Sequence, residues 1–242
     1  MRREQGSVMS VSPDAELVPF KPFYQPGNAA MRFRQALGFG PVALATVHVR
    51  AAAMACREME AVLRAGYQGA FLAPDRLKLS EFAAAVRHIS SRHRGAWIGL
   101  KLDEMPAIEE LDLLIDEARN LWICDMDSHD GYEWLGGEIE RIRCTEDWDG
   151  LLFGSLPPTE EGDLAAAAVG LSRFVDVVVW TVSAGQANLL RRTHDLKHAL
   201  GNFPLALSLN YPRVKLDGLA RAADCLICPA RLGPVAARAC GR

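Results

Sequence analysis

The stretch that decides the fold reads Val175-Asp176-Val177-Val178-Val179-Trp180. The residues after Asp176 are all apolar, so a strand built from them needs cover on both faces, as parallel strands packed between helices have. Counting this stretch, eight apolar runs recur about every 20–30 residues, which is the length of one strand–helix unit. They occupy residues 42–49, 70–73, 97–102, 121–126, 151–153, 175–180, 205–209 and 225–228.

Amphipathic segments fill the intervals between the apolar runs. Segment 79–92 is the clearest, because Phe82, Val86 and Ile89 recur at spacings of four and three residues along one helix face. The other predicted helices are 51–64, 164–171, 189–200 and 214–222. Eight strands alternating with helices fit a closed barrel or a doubly wound sheet. The strand count and the length of 242 residues, close to the roughly 250 of a typical barrel, favour a single-domain (β/α)₈ TIM barrel over residues 41–242.

Residues 1–40 differ from the rest of the chain, because proline and glycine interrupt them too often for long regular structure. One short helix fits at residues 29–37. We interpret this segment as an N-terminal extension that either packs over the floor of the barrel or remains partly mobile. At the other end, only residues 233–242 remain for the last helix, which is therefore predicted to be short.

Composition argues against several classes of partner. The chain has 27 basic and 30 acidic residues, and its net charge of −3 provides no attraction for nucleic acid. No apolar run approaches the roughly 20 residues that cross a bilayer, and the first residues lack the apolar segment of a signal peptide. We therefore expect a cytoplasmic protein with no membrane partner and with reduced cysteines. The sequence leaves open whether it forms a homo-oligomer.

Cys225 and Cys228 have C-x-x-C spacing but lie on a predicted strand. Residues three apart on a strand face opposite sides, so one metal ion or one disulfide does not suit both thiols. We predict that both cysteines are buried on opposite faces of the eighth strand.

Several stretches together resemble one known family. They are Trp97-Ile98-Gly99-Leu100-Lys101-Leu102-Asp103, Asp176-Val177-Val178-Val179-Trp180-Thr181 with Ala184-Gly185-Gln186-Ala187, Leu200-Gly201-Asn202-Phe203-Pro204-Leu205-Ala206-Leu207, and Ala223-Asp224-Cys225-Leu226. Over roughly residues 42–230 the chain resembles the BtpA-like group of phosphate-binding (β/α)₈ barrels, some of which carry phosphoribosyltransferase-type names. The resemblance implies the barrel fold and an anionic or phosphorylated ligand.

The chain departs from that group in its phosphate-binding loops. After strand six, Gly185 is the only glycine left where the group has several. The Ser-Gly pair after strand seven is replaced by Ser208 and Leu209, and the Thr-Gly pair after strand eight by Pro229 and Ala230. Glycine lets backbone amides approach a phosphate closely. We therefore predict that these degenerate loops bind phosphate weakly or not at all.

Barrel active sites are assembled at the carboxyl ends of the strands, and alternation along each strand selects the residues that point inward. On strand one this places His48 on the face of Leu44 and Thr46, and on strand three it places Lys101 with Gly99 and Asp103. On strand four it groups Asp125 and Asp127 with Ile123. The candidate catalytic residues are His48, Lys101 and Asp125, and the candidate substrate-binding residues are Asp103, Asp127, Thr181, Ser183, Ser208, Asn210 and Arg213.

Each candidate has a functional and a structural interpretation. Lys101 could hold an anion, form a Schiff base, or make an ion pair that closes the top of the barrel. His48 could act as an acid or base, or be a hydrogen-bonded core residue. Asp125 and Asp127 could bind Mg²⁺, although loop and helix-capping chemistry explains this polar segment as well. We predict no metal and no cofactor.

Two functions fit these observations. In the first, the chain is a small-molecule enzyme or binding protein acting on an anionic or phosphorylated metabolite, with lyase- or transferase-type chemistry if it is active. In the second, it is a catalytically degenerate barrel, a pseudoenzyme, that serves as a scaffold or protein-interaction module. The lost glycines, the short last helix and the N-terminal extension favour the second, and the fold alone does not separate the two.

Overall fold

The chain forms a closed barrel of eight parallel strands. The computed structural model describes residues 28–103, 108–117, 120–124, 129–146, 148–157, 163–182, 188–209, 216–230 and 233–241. The strands are β1 Val42–Val49, β2 Gly69–Pro74, β3 Trp97–Leu102, β4 Asn120–Ile123, β5 Leu151–Ser155, β6 Val177–Val182, β7 Leu205–Leu209 and β8 Cys225–Pro229. Each pairs in parallel with its sequence neighbour, and β8 closes the ring on β1. The TIM barrel predicted from the sequence is thereby confirmed.

Helices surround the ring of strands. Their bounds are α1 Ala29–Leu37, α2 Ala52–Arg64, α3 Leu79–Arg92, α4 Ile108–Glu117, α5 His129–Glu146, α6 Leu164–Leu171, α7 Leu189–Leu200, α8 Leu216–Ala222 and α9 Gly233–Ala239. In α3 the predicted apolar face of Phe82, Val86 and Ile89 is buried. Helix α9 has seven residues, so the last helix is short as predicted. No helix among the described residues is long and apolar enough to cross a membrane.

Aromatic side chains fill the inside of the barrel. The ring centroid of Phe71 lies 5.0 Å from those of Trp97, Trp122 and Phe153. Gly99 leaves space for this cluster, because a Cβ atom at that position would lie 2.7 Å from the Phe71 ring. The barrel interior is therefore packed solid, and any ligand site must lie above this cluster or outside the ring.

Helix α1 covers the amino ends of the strands. Its Phe33 and Leu37 belong to the same buried cluster as Val42 and Leu151, the first residues of β1 and β5. The helix predicted at residues 29–37 is therefore present and packs against the barrel floor. Residues 1–27 lie outside the described residues, and the boundary between extension and barrel at residue 40 stays a prediction.

A fully buried carboxylate, Asp176, joins this helix to the barrel. Arg32 of α1 donates hydrogen bonds from Nε and Nη2 to Asp176 Oδ1, the first at 2.8 Å. Arg143 of α5 donates to Oδ2, and the backbone amide of Leu152 donates to the same oxygen at 2.9 Å. Asp176 therefore links α1, α5 and β5 at the end of the barrel opposite the predicted site.

The two cysteines of β8 occupy different layers. Cys225 belongs to the cluster inside the barrel, whereas Cys228 belongs to the cluster between strands and helices. Both are free and buried. The prediction that they are buried on opposite faces of the strand is confirmed.

Candidate functional site

A cavity of about 420 Å³ opens at the carboxyl ends of the strands. The described residues that line it come from six strands, β1, β3, β4, β6, β7 and β8, and from Cys124, which directly follows β4. They are Thr46, His48, Lys101, Trp122, Cys124, Thr181, Ser208, Ile227, Cys228 and Pro229. No carboxylate is among these described lining residues, so the wall they form is cationic and hydroxyl-rich.

Strand alternation explains how β1 contributes to the cavity. Leu44 is fully buried inside the barrel, two positions below Thr46 and four below His48, and all three lie on the inner face. The intervening Val47 and Val49 belong to the outer buried cluster. Thr46 and His48 therefore stand above the packed interior, at the height where a ligand can reach them.

Lys101 provides the positive charge of the cavity wall. Its side chain is only 19% exposed, and its Nζ atom lies 2.7 Å from Oδ1 of Asp103, whose side chain is 75% exposed. The same Nζ lies 5.3 Å from the centroid of the Trp122 ring, within the range of a cation–π interaction. Burial is the largest single influence and lowers the pKa of Lys101, but the hydrogen bond and charge of Asp103 together with the neighbouring Cys124 outweigh it, and the net pKa is raised. The side chain is therefore an ammonium at neutral pH, which disfavours a Schiff-base role.

Polar groups lie beside this lysine. Trp122 Nε1 donates to Ser155 Oγ at 2.9 Å. Lys101 and Ser155 are both close enough to the sulfur of Cys124 to lower its pKa. Burial raises the pKa of Cys124 to about 11 against the opposing charge of Lys101, so the resting group is a thiol.

The structure brings together part of the predicted site. His48, Lys101, Thr181 and Ser208 line the one cavity, and Asp103 contacts Lys101 at its edge. Of the roles left open for Lys101, the ion pair is present. The remaining candidates, Asp125, Asp127, Ser183, Asn210 and Arg213, lie outside the described residues. Of the loop changes that predict weak phosphate binding, those at Ser208, Leu209, Pro229 and Ala230 lie within the described residues, and the loop around Gly185 lies outside them. Weak phosphate binding stays a prediction.

The predicted inward face of β4 is wrong. Ile123, which was grouped with Asp125 and Asp127 on the inner face, belongs instead to the outer buried cluster. The inner positions are Trp122, buried inside the barrel, and Cys124. The physical reason is that β4 is apolar on both faces, so its sequence contains no alternation from which an inner face can be read.

This error hid two residues of the cavity, Trp122 and Cys124. The available signal was steric, because Gly99 on β3 leaves room for large rings inside the barrel: a Cβ there would lie 2.7 Å from the Phe71 ring, whose centroid is 5.0 Å from that of Trp122. Among the described residues, no group of three or more His, Cys, Asp or Glu side chains is placed to hold a metal ion.

Comparisons with known proteins support the fold alone. No protein-family model matches the chain, and no curated protein matches it in sequence. Among solved structures, it is similar to 2,3-dimethylmalate lyase, a member of the PEP mutase/isocitrate lyase superfamily, with a TM-score of 0.61, 15% identity, and coverage of 87% of this chain and 84% of that one. It is similar to tryptophan synthase from Mycobacterium tuberculosis, with a TM-score of 0.63, 13% identity, and coverage of 89% of this chain and 98% of that one. It is also similar to oxaloacetate acetylhydrolase, with a TM-score of 0.64, 13% identity, and coverage of 86% of this chain and 82% of that one.

Proposed function

We propose that this barrel binds a small anionic metabolite in the cavity at the carboxyl ends of its strands, with Lys101 as the principal counter-charge. The observation that carries the proposal is the composition of the cavity wall. A half-buried ammonium, an imidazole and three hydroxyl groups line about 420 Å³, without a carboxylate among the described lining residues. Concave sites with a few convergent polar groups are where small ligands bind.

The ion pair between Lys101 and Asp103 is compatible with this role. Asp103 is three-quarters exposed, so its carboxylate can turn to water when a ligand arrives, whereas Lys101 is held by the cavity wall. Exposed ion pairs are weak, so an incoming anion faces little competition. In this proposal the Asp103 carboxylate pairs with Lys101 when no ligand is bound, and the anionic group of the ligand replaces it there.

The cavity favours a carboxylate over a phosphate. A phosphate ester needs several backbone amides, and the glycine-rich loops that provide them in the BtpA-like group are replaced in this sequence. A carboxylate is satisfied by one ammonium and one or two hydroxyl donors, such as Thr181 and Ser208. Two of the similar structures are enzymes named after small carboxylates, 2,3-dimethylmalate and oxaloacetate.

If the site is catalytic, His48 is the residue placed for proton transfer. It lines the cavity, and its side chain is exposed at the rim, where it can exchange protons with water. Together with the fixed charge of Lys101, this gives an acid–base group and an anion-stabilising group, which suit lyase-type chemistry. We also propose that this chain descends from the phosphate-binding barrels.

A thermal-shift panel tests the proposal. Purified protein is heated with millimolar mono- and dicarboxylates and phosphate monoesters, because ligand binding to the native state raises the melting temperature. We expect at least one carboxylate to raise it in the wild type, and Lys101→Met to abolish the shift. Lys197→Met is the matched control, because Lys197 Nζ also lies 2.7 Å from an aspartate, Asp224, at the other end of the barrel.

Two outcomes would overturn the proposal. The first is a panel in which no compound shifts the melting temperature. The second is a shift that survives in Lys101→Met as it does in Lys197→Met. Either result would favour the degenerate-barrel alternative, in which Lys101 only closes the top of the barrel.

A further inference from the structure

We propose that Cys124 and Lys101 form a thiol–ammonium pair that reacts with small carboxylates whose neighbouring carbon is electrophilic. Lys101 holds the carboxylate, and Cys124 Sγ attacks the carbon beside it. This inference rests on the proposed function and narrows it to one class of ligand.

The geometry places both groups on one wall of the cavity. Lys101 belongs to β3, and Cys124 directly follows the neighbouring strand β4. The Cys124 amide donates to the carbonyl of Leu102 at 2.9 Å, which continues the pairing of the two strands. Lys101 and Cys124 both line the cavity, and the ammonium is close enough to lower the pKa of the thiol. A ligand held by the lysine is therefore next to the sulfur.

The charge of Lys101 stabilises a thiolate as it forms. It lowers the pKa of Cys124 against the effect of burial, and Ser155, whose Oγ accepts a hydrogen bond from Trp122 Nε1, acts in the same direction. An ammonium has three N–H donors, so Lys101 can donate to Asp103 and to a ligand together.

Its position distinguishes Cys124 from the other thiols of the chain. Cys56, Cys225, Cys228 and Cys240 are buried. Cys228 also borders the cavity, but it is 0% exposed and belongs to the outer buried cluster. Cys144 is exposed on α5, away from the cavity. Cys144 therefore reports how a thiol in solvent reacts, in the same molecule and the same sample.

The chemical step needs no oxidant. With a 2-halocarboxylate, a bond forms between Sγ and the carbon, the halide leaves with its electron pair, and the thiol proton goes to solvent. At a carbonyl carbon, Sγ adds, the π electrons move to oxygen, and that oxygen takes the proton that the thiol lost. In both cases Lys101 keeps its own proton and contributes charge.

Competitive alkylation tests the inference with iodoacetate and iodoacetamide, which differ in charge but deliver groups of nearly equal size. The rate at each cysteine is followed by peptide mass spectrometry. At each cysteine, the alkylation rate with iodoacetate is divided by the rate with iodoacetamide. The value at Cys124 is then divided by the value at Cys144, and this quotient cancels the intrinsic reactivity of the two reagents. We expect a quotient of at least about ten, the factor that one charge-assisted contact contributes.

Two further measurements show whether Lys101 is responsible. In Lys101→Met the quotient should fall to within about twofold of one, the value for a thiol with no anchoring charge. In the wild type, malonate should protect Cys124 from iodoacetate and leave Cys144 unprotected, a result that does not depend on how the variant folds. A quotient near one in the wild type, or protection of both cysteines alike, would overturn the inference.

The inference and the proposed function fail in distinguishable ways. If carboxylates raise the melting temperature through Lys101 but the quotient is near one, the cavity binds anions and Cys124 is a packing residue. If neither effect appears, the proposed function fails as well.

Discussion

Replacing Asp176 by alanine should destabilise the barrel more than the loss of any other described ion-pair partner. The carboxylate is fully buried and accepts hydrogen bonds from Arg32, Arg143 and the amide of Leu152. Arg143 is only 11% exposed, so the substitution leaves a buried guanidinium without this counter-charge. Removing one partner of a buried pair costs about 3–5 kcal/mol, and the unpaired Leu152 amide moves the value toward the upper end.

Urea unfolding measures this loss. The free energy of unfolding comes from linear extrapolation, with tryptophan fluorescence and circular dichroism as independent probes. Asp75→Ala is the control, because it removes a pair with Arg50, which is 68% exposed, and should leave the midpoint close to that of the wild type. A loss below about 1 kcal/mol for Asp176→Ala would refute the view that this carboxylate joins α1 and α5 to the barrel.

Four further predictions follow from individual contacts. Gly69→Ala should lower the melting temperature sharply, since its Cβ would lie 1.8 Å from the Trp97 carbonyl oxygen, whereas Gly95→Ala, which meets nothing within 4 Å, should have little effect. Gly137→Ala should stabilise the protein by about 0.5–1 kcal/mol in urea unfolding, because its Cβ in α5 meets open space and alanine favours the helix. The rate of Cys124 alkylation by neutral iodoacetamide should keep rising with pH until about 11, because burial raises the thiol pKa to that value and only the thiolate reacts; a plateau near pH 9 would contradict this. Millimolar inorganic phosphate should leave the melting temperature unchanged, and a clear upward shift would show that the loops after β6 to β8 still bind phosphate.

The fold was predictable because it rests on repeated, redundant signals. Residues 42–49, 97–102 and 205–209 were predicted as strands with the bounds that the structure has. Segments 79–92 and 189–200 were likewise predicted as helices with the correct bounds. An error in one unit does not change the count of eight, so the barrel could be inferred even though β6 begins at Val177 rather than at residue 175.

The site was predictable only where a strand alternates. On β1 the sequence from Leu44 to His48 places polar residues on one face near the end of the strand, and the structure has them in the cavity. On β4 both faces are apolar, so the inner residues Trp122 and Cys124 could not be told from Ile123 by pattern. Pairing between strands decides this, and pairing is a property of the folded ring.

The contacts of Lys101 were beyond sequence reasoning for a related reason. Its pairing with Asp103 follows from strand alternation, but its contacts with Trp122 and Cys124 cross from β3 to β4. Such contacts depend on the register between strands, which here sets Lys101 opposite Trp122. That register brings a thiol, an ammonium and an aromatic ring to one wall of the cavity.

The most direct test of the central claim is a calorimetric titration of the carboxylate that shifts the melting temperature most, against wild type, Lys101→Met and Lys197→Met. The account predicts that Lys101→Met raises the dissociation constant by at least about tenfold, the equivalent of one charge-assisted contact, and that Lys197→Met leaves it unchanged. Equal dissociation constants for all three proteins would contradict it, because the ligand would then bind without the charge at the mouth of the barrel.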